Sequence, residues 1–322
     1  MQALLGPFVL LLLHGPVVRA ATVADRFSLD AYLRSLGFGA PREEGHVLRY
    51  ATKWTSIEFE AGSRRIALNG KLIYLNGAIA KSGDVWSLPE CDIRDVIDPI
   101  LYPARALASQ RCRLVVLDPG HGGDDNGASS ACHVEEKIVT LDLAKRVQAK
   151  LLAEGVNVQM TRDKDEAVSL ENRTARAIKL GADVFVSIHM NSAANRAVAG
   201  VETYVVPAAG FPSTKDNGSD DANKCIFPAN RFDAANTLLA YYVQTGVISY
   251  ADVPDRGVRR ARYYVVRNVP CAAVLVECGF LSNTGDENLI RDRAHRDAIA
   301  EGIARGILTY SVRVQDAHPS AN

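Results

Sequence analysis

Three residues able to do acid–base or metal chemistry stand directly at the ends of apolar runs. His121 follows the run 114–117 through Asp118-Pro119-Gly120, His189 follows 184–188, and Glu277 follows 273–276. In an open α/β sheet the carboxyl ends of parallel strands line the ligand crevice. Three separate strands would therefore deliver His, His and Glu to one edge. Glu136 opens the helical pattern after the first of these strands, and a βα unit returns a helix N-terminus to that same edge. Asn191, two residues beyond His189, is a candidate to contact a substrate there.

Two histidines and one carboxylate are a ligand set for a catalytic Zn2+ whose fourth position is left open. Such an ion supports hydrolysis by activating water and polarising a carbonyl. A further carboxylate must then move a proton from water to the leaving group, and Glu277 suits that task. Each residue alone has a plainer role. A histidine after a strand can be a satisfied structural group, and a glutamate at a helix start complements the helix dipole. Glu277 could be a buried ion-pair partner. Gathering several such groups at one edge is costly without a metal or mutual pairing. His133 and Glu135 lie close enough in sequence to compete as ligands.

The elements that would position these groups alternate along the second part of the chain. The runs 114–117, 156–160, 184–188, 201–206, 263–266 and 273–276 read as strands. Ile138, Leu141, Ala144, Val147 and Leu151 recur at helical spacing and define one helix face, with Gly155 as its stop. Residues 170–180 form a helix between an N-cap at Ser169 and Gly181. Residues 232–249 and 286 to about 308 are further helices. The segment 207–230, rich in Pro, Gly, Ser, Asp and Asn, is a loop long enough to cover a site. Continuous apolar strands alternating with helices imply an α/β fold: a mostly parallel twisted sheet with helices on both faces. The preceding residues 25–108 differ. They alternate at Thr55, Ile57 and Phe59, and Asn69-Gly70 sits between two strand-like runs as a hairpin turn. They read as a small β-rich accessory domain before a catalytic domain over 112–314.

The bulk numbers exclude some partners. Lys+Arg equals Asp+Glu at 37 each, so the chain has no net charge to favour nucleic acid or an anionic membrane. Residues 1–20 have a short apolar stretch, a Gly-Pro break and small residues near a cut site, the pattern of a signal peptide. That pattern points to export, to a periplasm, cell envelope or extracellular location, and to no membrane span after cleavage. The six cysteines contain no CxxC pair, which argues against cysteine-held zinc.

These motifs occur together in an order that resembles the zinc-dependent N-acetylmuramoyl-L-alanine amidases. Leu117-Asp118-Pro119-Gly120-His121-Gly122-Gly123, then Gly127-Ala128 and Glu136-Lys137, is similar to the family's opening signature. Thr161-Arg162-Asp163-Lys164-Asp165, the 169–173 run SLENR, the 182–191 run ADVFVSIHMN, the 200–204 run GVETY, Arg256-Gly257-Val258, the 263–267 run YYVVR and the 277–283 run ECGFLSN come next, in that order. The resemblance spans about residues 112–310. It implies zinc on His121, Glu136 and His189, so that Glu136 rather than Glu135 is the ligand, and Glu277 as catalytic acid/base. It also implies the substrate: the amide joining N-acetylmuramic acid to L-alanine in peptidoglycan. Some relatives carry an inhibitory helix in an insertion comparable to 207–230, and a regulatory protein partner is compatible with this reading. Departures are Cys278 at an apolar position and Asp124-Asp125-Asn126 ahead of Gly127. In the first domain, the 66–70 run IALNG and the 85–89 run VWSLP resemble the N-terminal domain of copper amine oxidases, without implying copper. Two other readings fit the same residues: a zinc peptidase acting on peptidoglycan stem peptides, and a non-enzymatic wall-binding regulator.

Overall fold

The structure, a computed structural model, describes residues 26–215 and 224–318. The signal-peptide segment 1–20 lies outside the described residues. The chain opens with β1 (Arg26–Ser28), α1 (Leu29–Ser35), β2 (Arg42–Glu44), β3 (Val47–Ala51), β4 (Ser56–Glu60), β5 (Arg65–Leu68), β6 (Lys71–Tyr74), β7 (Ala80–Ser82) and β8 (Val85–Pro89). Short helical turns come after β8: α2 (Glu90–Asp92), a π-turn over Ile93–Ile97, α3 (Asp98–Leu101) and α4 (Pro103–Leu107). The α/β part comprises β9 (Leu114–Pro119), α5 (Glu136–Ala153), β10 (Asn157–Met160), α6 (Leu170–Leu180), β11 (Val184–Asn191), β12 (Val201–Val205), α7 (Asp233–Ala251), β13 (Asp255–Arg260), α8 (Tyr264–Arg267), β14 (Ala272–Phe280), α9 (Thr284–Arg291) and α10 (Arg293–Asp316).

One 11-stranded sheet runs β10-β9-β11-β14-β12-β13-β6-β5-β4-β3-β2. From β10 to β14 the pairing is parallel, while β12 is antiparallel to β14. β13 joins β6 through Val258 opposite Ile73, so the antiparallel hairpins β2–β6 extend the same sheet. Strand periodicity divides the apolar runs between two cores. Val115, Leu117, Val184, Val186, Ile188, Val274 and Val276 belong to the larger cluster, which includes residues of α5, α7 and α10. Val116, Phe185, Ala273 and Leu275 point the other way, into a smaller cluster with Ala177 of α6 and Val265 and Val266 of α8. Both faces are covered, which is why the strands read as unbroken apolar runs. The second cover is thin, because α8 is a single turn, and at the strand ends it leaves room for a groove.

Several local signals act as expected. Ser169 Oγ accepts from the Asn172 amide, and Gly181 ends α6 in the left-handed region at φ 71°. Asn69 and Gly70 have φ of 50° and 75°, the paired positive values of a two-residue hairpin turn between β5 and β6. Other expectations are corrected. The segment 263–266 is not a strand: its apolar residues lie on the sheet as α8, and the sheet position is taken by β13. β13 escapes a hydrophobicity reading because its arginines find acceptors, Arg256 on Glu202 and Arg260 on the Tyr74 carbonyl. The terminal helix is two helices, because extended Asp292 breaks the run and its carboxylate caps the Ala294 amide. On α5 the buried stripe is Val139, Leu143, Ala144, Val147 and Leu151, whereas Ile138 faces solvent. Asn76-Gly77 makes no hairpin, since the flanking β6 and β7 lie in different sheets. Asn76 is buried, donates to Asp92 and accepts from the Ala208 amide.

Helices α7 and α10 cross at Gly246 and Gly302. A Cβ on Gly302 would lie 2.5 Å from the Val247 Cα, so the backbones touch. Gly302→Val should therefore destabilise the protein by about 2–3 kcal/mol through overpacking. A fall in the urea midpoint would register this, and an unchanged midpoint would contradict the close packing.

Candidate active site

The site begins with a loop that folds against its own preferences. After β9 the chain turns at Pro119-Gly120, and His121 adopts a left-handed φ of 59° that is uncommon for a residue with a side chain. Gly120 is required there, since a Cβ would sit 2.3 Å from the His189 ring. The turn points carbonyl groups inward, and two buried arginines pair them. Arg162 donates to the carbonyls of Pro119 (3.0 Å), Gly120 (2.7 Å) and Lys137 (2.8 Å). Arg173 donates to the Pro119 and His121 carbonyls, each at 2.5 Å, and to the Asp118 carboxylate at 2.8 Å. Asp118 is fully buried and also accepts from Thr161 Oγ1 (2.6 Å) and Ser187 Oγ (2.7 Å). Motif residues far apart in sequence thus converge on the backbone beneath His121.

His121, Glu136 and His189 come together. His121 Nε2 lies 3.1 Å and His189 Nδ1 3.0 Å from the same Glu136 oxygen. One potential ligand atom from each lies within 4.8 Å of the others, and among the described residues this is the group of His, Cys, Asp or Glu side chains with metal-binding spacing. Glu136 is anchored from behind by the Met190 amide (2.9 Å) and the Ala128 amide (2.8 Å). Glu135, by contrast, is the residue preceding α5, with its carboxylate 3.8 Å from Lys137 Nζ, and His133 lies in a turn at φ 59°. Neither joins the cluster. A partner missed by the sequence reading is Asp125, whose carboxylate meets His121 Nδ1 at 2.8 Å. A carboxylate on one ring nitrogen fixes the tautomer and leaves the other nitrogen's lone pair for a cation. Its position four residues after His121 was the available signal.

Periodicity puts Phe185, Ser187 and His189 on one face of β11 and Leu275 and Glu277 on the same face of β14. His189 and Glu277 are register partners, and Glu277 is in turn opposite Glu202 of β12. The two site glutamates have contrasting environments. Burial would raise Glu136, but the hydrogen bonds from His121 and His189 outweigh it and hold its carboxyl far below the usual range. Burial likewise would lower His121, yet Glu136 and Asp125 hold it above its ordinary value. Glu277 has only weak compensation. Burial lifts its carboxyl to about 7, His189 opposes the rise, and Glu136 and Glu202 add to it. Its Oε2 is buried without a hydrogen-bond partner. Asn191 is partly buried and donates to Glu202 at 3.2 Å. Glu202 belongs to the 200–204 run GVETY. It is buried, and it accepts from Arg256 (2.7 Å) and Tyr204 (2.5 Å) as well. A groove of about 550 Å³ flanks the two histidines, lined among others by Ala167, Val168, Leu170 and Val265.

Residues 115–309 match the family model described as N-acetylmuramoyl-L-alanine amidase. The chain belongs to this family. The probable cell wall amidase LytH of Staphylococcus saprophyticus is 34% identical over 200 residues, which are 62% of this chain and 58% of that protein. LytH of Staphylococcus aureus gives the same identity and coverage. The chain thus spans 58% of the length of these curated relatives. Among solved structures, amidase AmiC2 of Nostoc punctiforme is 36% identical with a TM-score of 0.52, covering 63% of this chain and 98% of that one. The CwlV catalytic domain from Bacillus (Paenibacillus) polymyxa is 31% identical with a TM-score of 0.52, covering 62% and 97%. Residues 26–114 precede the family match, and the amidase fold is carried by the later part of the chain.

Two measurements check the site. Arg173→Met leaves the buried Asp118 charge without its cation and removes the bonds to the Pro119, His121 and Val168 carbonyls, so stability should drop by about 3–5 kcal/mol, read by chemical denaturation. A loss below about 1 kcal/mol would show that the clamp is not structural. Glu277 has a folded pKa above its unfolded one, so the native state keeps a proton that the unfolded chain releases between about 4.5 and 7. Stability therefore falls as pH rises through that window. In chelator-treated protein, Glu277→Gln should leave the melting temperature unchanged below pH 4.5 and raise it by several degrees above pH 7. Equal melting temperatures at pH 8 would contradict the burial penalty.

Proposed function

We propose that this chain is an exported, zinc-dependent amidase that hydrolyses the bond between N-acetylmuramic acid and L-alanine in peptidoglycan. The observation that carries the reading is the His121–Glu136–His189 cluster beside a buried glutamate whose carboxyl is lifted to about 7. Family membership supports the bond, and the name cell wall amidase given to the LytH relatives supports the location. No helix among the described residues is long and apolar enough to cross a membrane. Residues 25–108 act in this reading as an accessory domain and 112–314 as the catalytic one.

The donor set fits Zn2+. His121 Nε2, His189 Nδ1 and the Glu136 carboxylate would hold it, with Asp125 fixing the His121 tautomer. When bound, the ion supplies a Lewis acid for water and for the amide carbonyl. The remaining work belongs to the protein. An amide nitrogen leaves only when protonated, so a group must collect a proton from the attacking water and return it to nitrogen. Glu277 is the register partner of His189, and burial pushes its carboxyl up to about 7, which suits it to that task. Asn191, held by Glu202, offers a fixed amide at the same edge for positioning substrate.

Purified sacculi incubated with the protein should release stem peptides and leave free lactyl ends, detected by mass spectrometry. Chelation should stop the release and added Zn2+ restore it. Glu277→Gln should retain one zinc per chain and cut at least about 100-fold slower, whereas His121→Ala should lose the metal. Asp125→Ala should weaken zinc binding by about 10–100-fold. New peptide termini instead of lactyl ends would overturn the bond assignment, and normal cutting by Glu277→Gln would overturn the role of that residue.

A further inference from the structure

We propose that the stem peptide crosses the β14–β12–β13 side of the sheet edge and that Arg256 reads the α-carboxylate on the residue after L-alanine. This deepens the amidase reading above and rests on it. The site residues form a line across the edge: His121 beyond β9, His189 on β11, Glu277 on β14, Glu202 on β12 and Arg256 on β13. A scissile amide has two ends. Its nitrogen must reach Glu277 for protonation, so the amine end lies at β14 or beyond, and the acyl end lies back over the histidines.

The linings on the two sides match these two ends. On the His121 side the groove offers Ala167, Val168, Leu170 and Val265, apolar surface suited to a lactyl methyl and a sugar acetamide methyl. Beyond Glu277 the surface is charged, with two guanidinium groups against one carboxylate: Arg256 at 2.7 Å and Arg259 at 3.2 Å from the same Glu202 oxygen. The other Glu202 oxygen is used by Tyr204 and Asn191. Arg259 is the more buried and lies over the Tyr74 ring. Arg256 keeps 28% of its side chain exposed, is fixed through Nε, and lies over the Phe280 ring. That leaves its two Nη groups for a bidentate carboxylate. From β14 to β13 is two strand spacings, roughly 10 Å. One extended residue beyond the L-alanine nitrogen plus an arginine side chain covers that reach, which selects the first carboxylate of the stem.

Calorimetry with the full chain tests this without turnover. The probes are L-alanyl-γ-D-glutamyl-L-lysine and two analogues, one amidated at the glutamyl α-carboxylate and one at the C-terminus. The wild type should bind the α-amide at least ten-fold more weakly than the acid and tolerate the C-terminal amide. Arg256→Gln should bind acid and α-amide alike, and Arg256→Lys should keep part of the preference. The proposal is overturned by a wild type indifferent to the α-amide, by sensitivity to the C-terminal amide alone, or by a preference that survives Arg256→Gln. An Arg256→Gln loss that is equal for all three peptides overturns it too, since that marks a purely structural role through Glu202. Failure of the amidase reading shows separately, as intact muramoyl peptides after incubation.

Discussion

The site depends on a buried electrostatic network beneath its first histidine. The turn after β9 aims the carbonyls of Pro119, Gly120 and His121 into the protein, where side chains must pair them, as Thr140 Oγ1 does at Gly120. Arg162 and Arg173 do so, and the Asp118 carboxylate balances part of their charge. A guanidinium suits this role because its donors are rigid and fan out in a plane. Removing either arginine would break several buried hydrogen bonds at once. His121 can then hold a left-handed backbone, because the surroundings over-determine it.

On that base, environment separates the charge states of chemically identical side chains. Glu136 has two imidazoles and two backbone amides at its oxygens, so it stays charged despite burial. Glu277, on the neighbouring strand to His189, has an oxygen with nothing to pair it, so its proton is held to near neutrality. In the proposed reaction one glutamate holds positive charge and the other carries a proton. Two carboxylates pushed apart in this way separate a ligand from an acid/base. Glu202, a third, does neither: it is saturated by arginine, tyrosine and asparagine, and organises the edge beyond Glu277.

The extension of the sheet by β13 and β6 gives this edge its far end. β13 carries charged residues through a buried position because its neighbours supply acceptors: Glu202 on one side, and the Tyr74 carbonyl and ring on the other. The Leu72 amide donates to Asp255, and Arg64 donates to the carbonyls of Pro212 and Ser213. The N-terminal hairpins are thus stitched to the strand that bears Arg256 and to the start of the long loop.

By itself the sequence determined the alternation of strands and helices, the α6 caps, the β5–β6 hairpin, and which residues end at the strand edge. Those features are local: periodicity, a capping hydroxyl, a glycine at positive φ, a polar group after an apolar run. Spacing left Glu135 and Glu136 as alternatives, and family resemblance was needed to prefer one. Only the tertiary structure placed Glu136 between two histidines and Glu135 beside Lys137. It also turned the 263–266 run from strand to cover, found β13 in an arginine-rich stretch, and brought Asp125 to His121. Apolar runs look alike whether they lie in a sheet or on it, and a buried charge is legible only once its distant partner is in place.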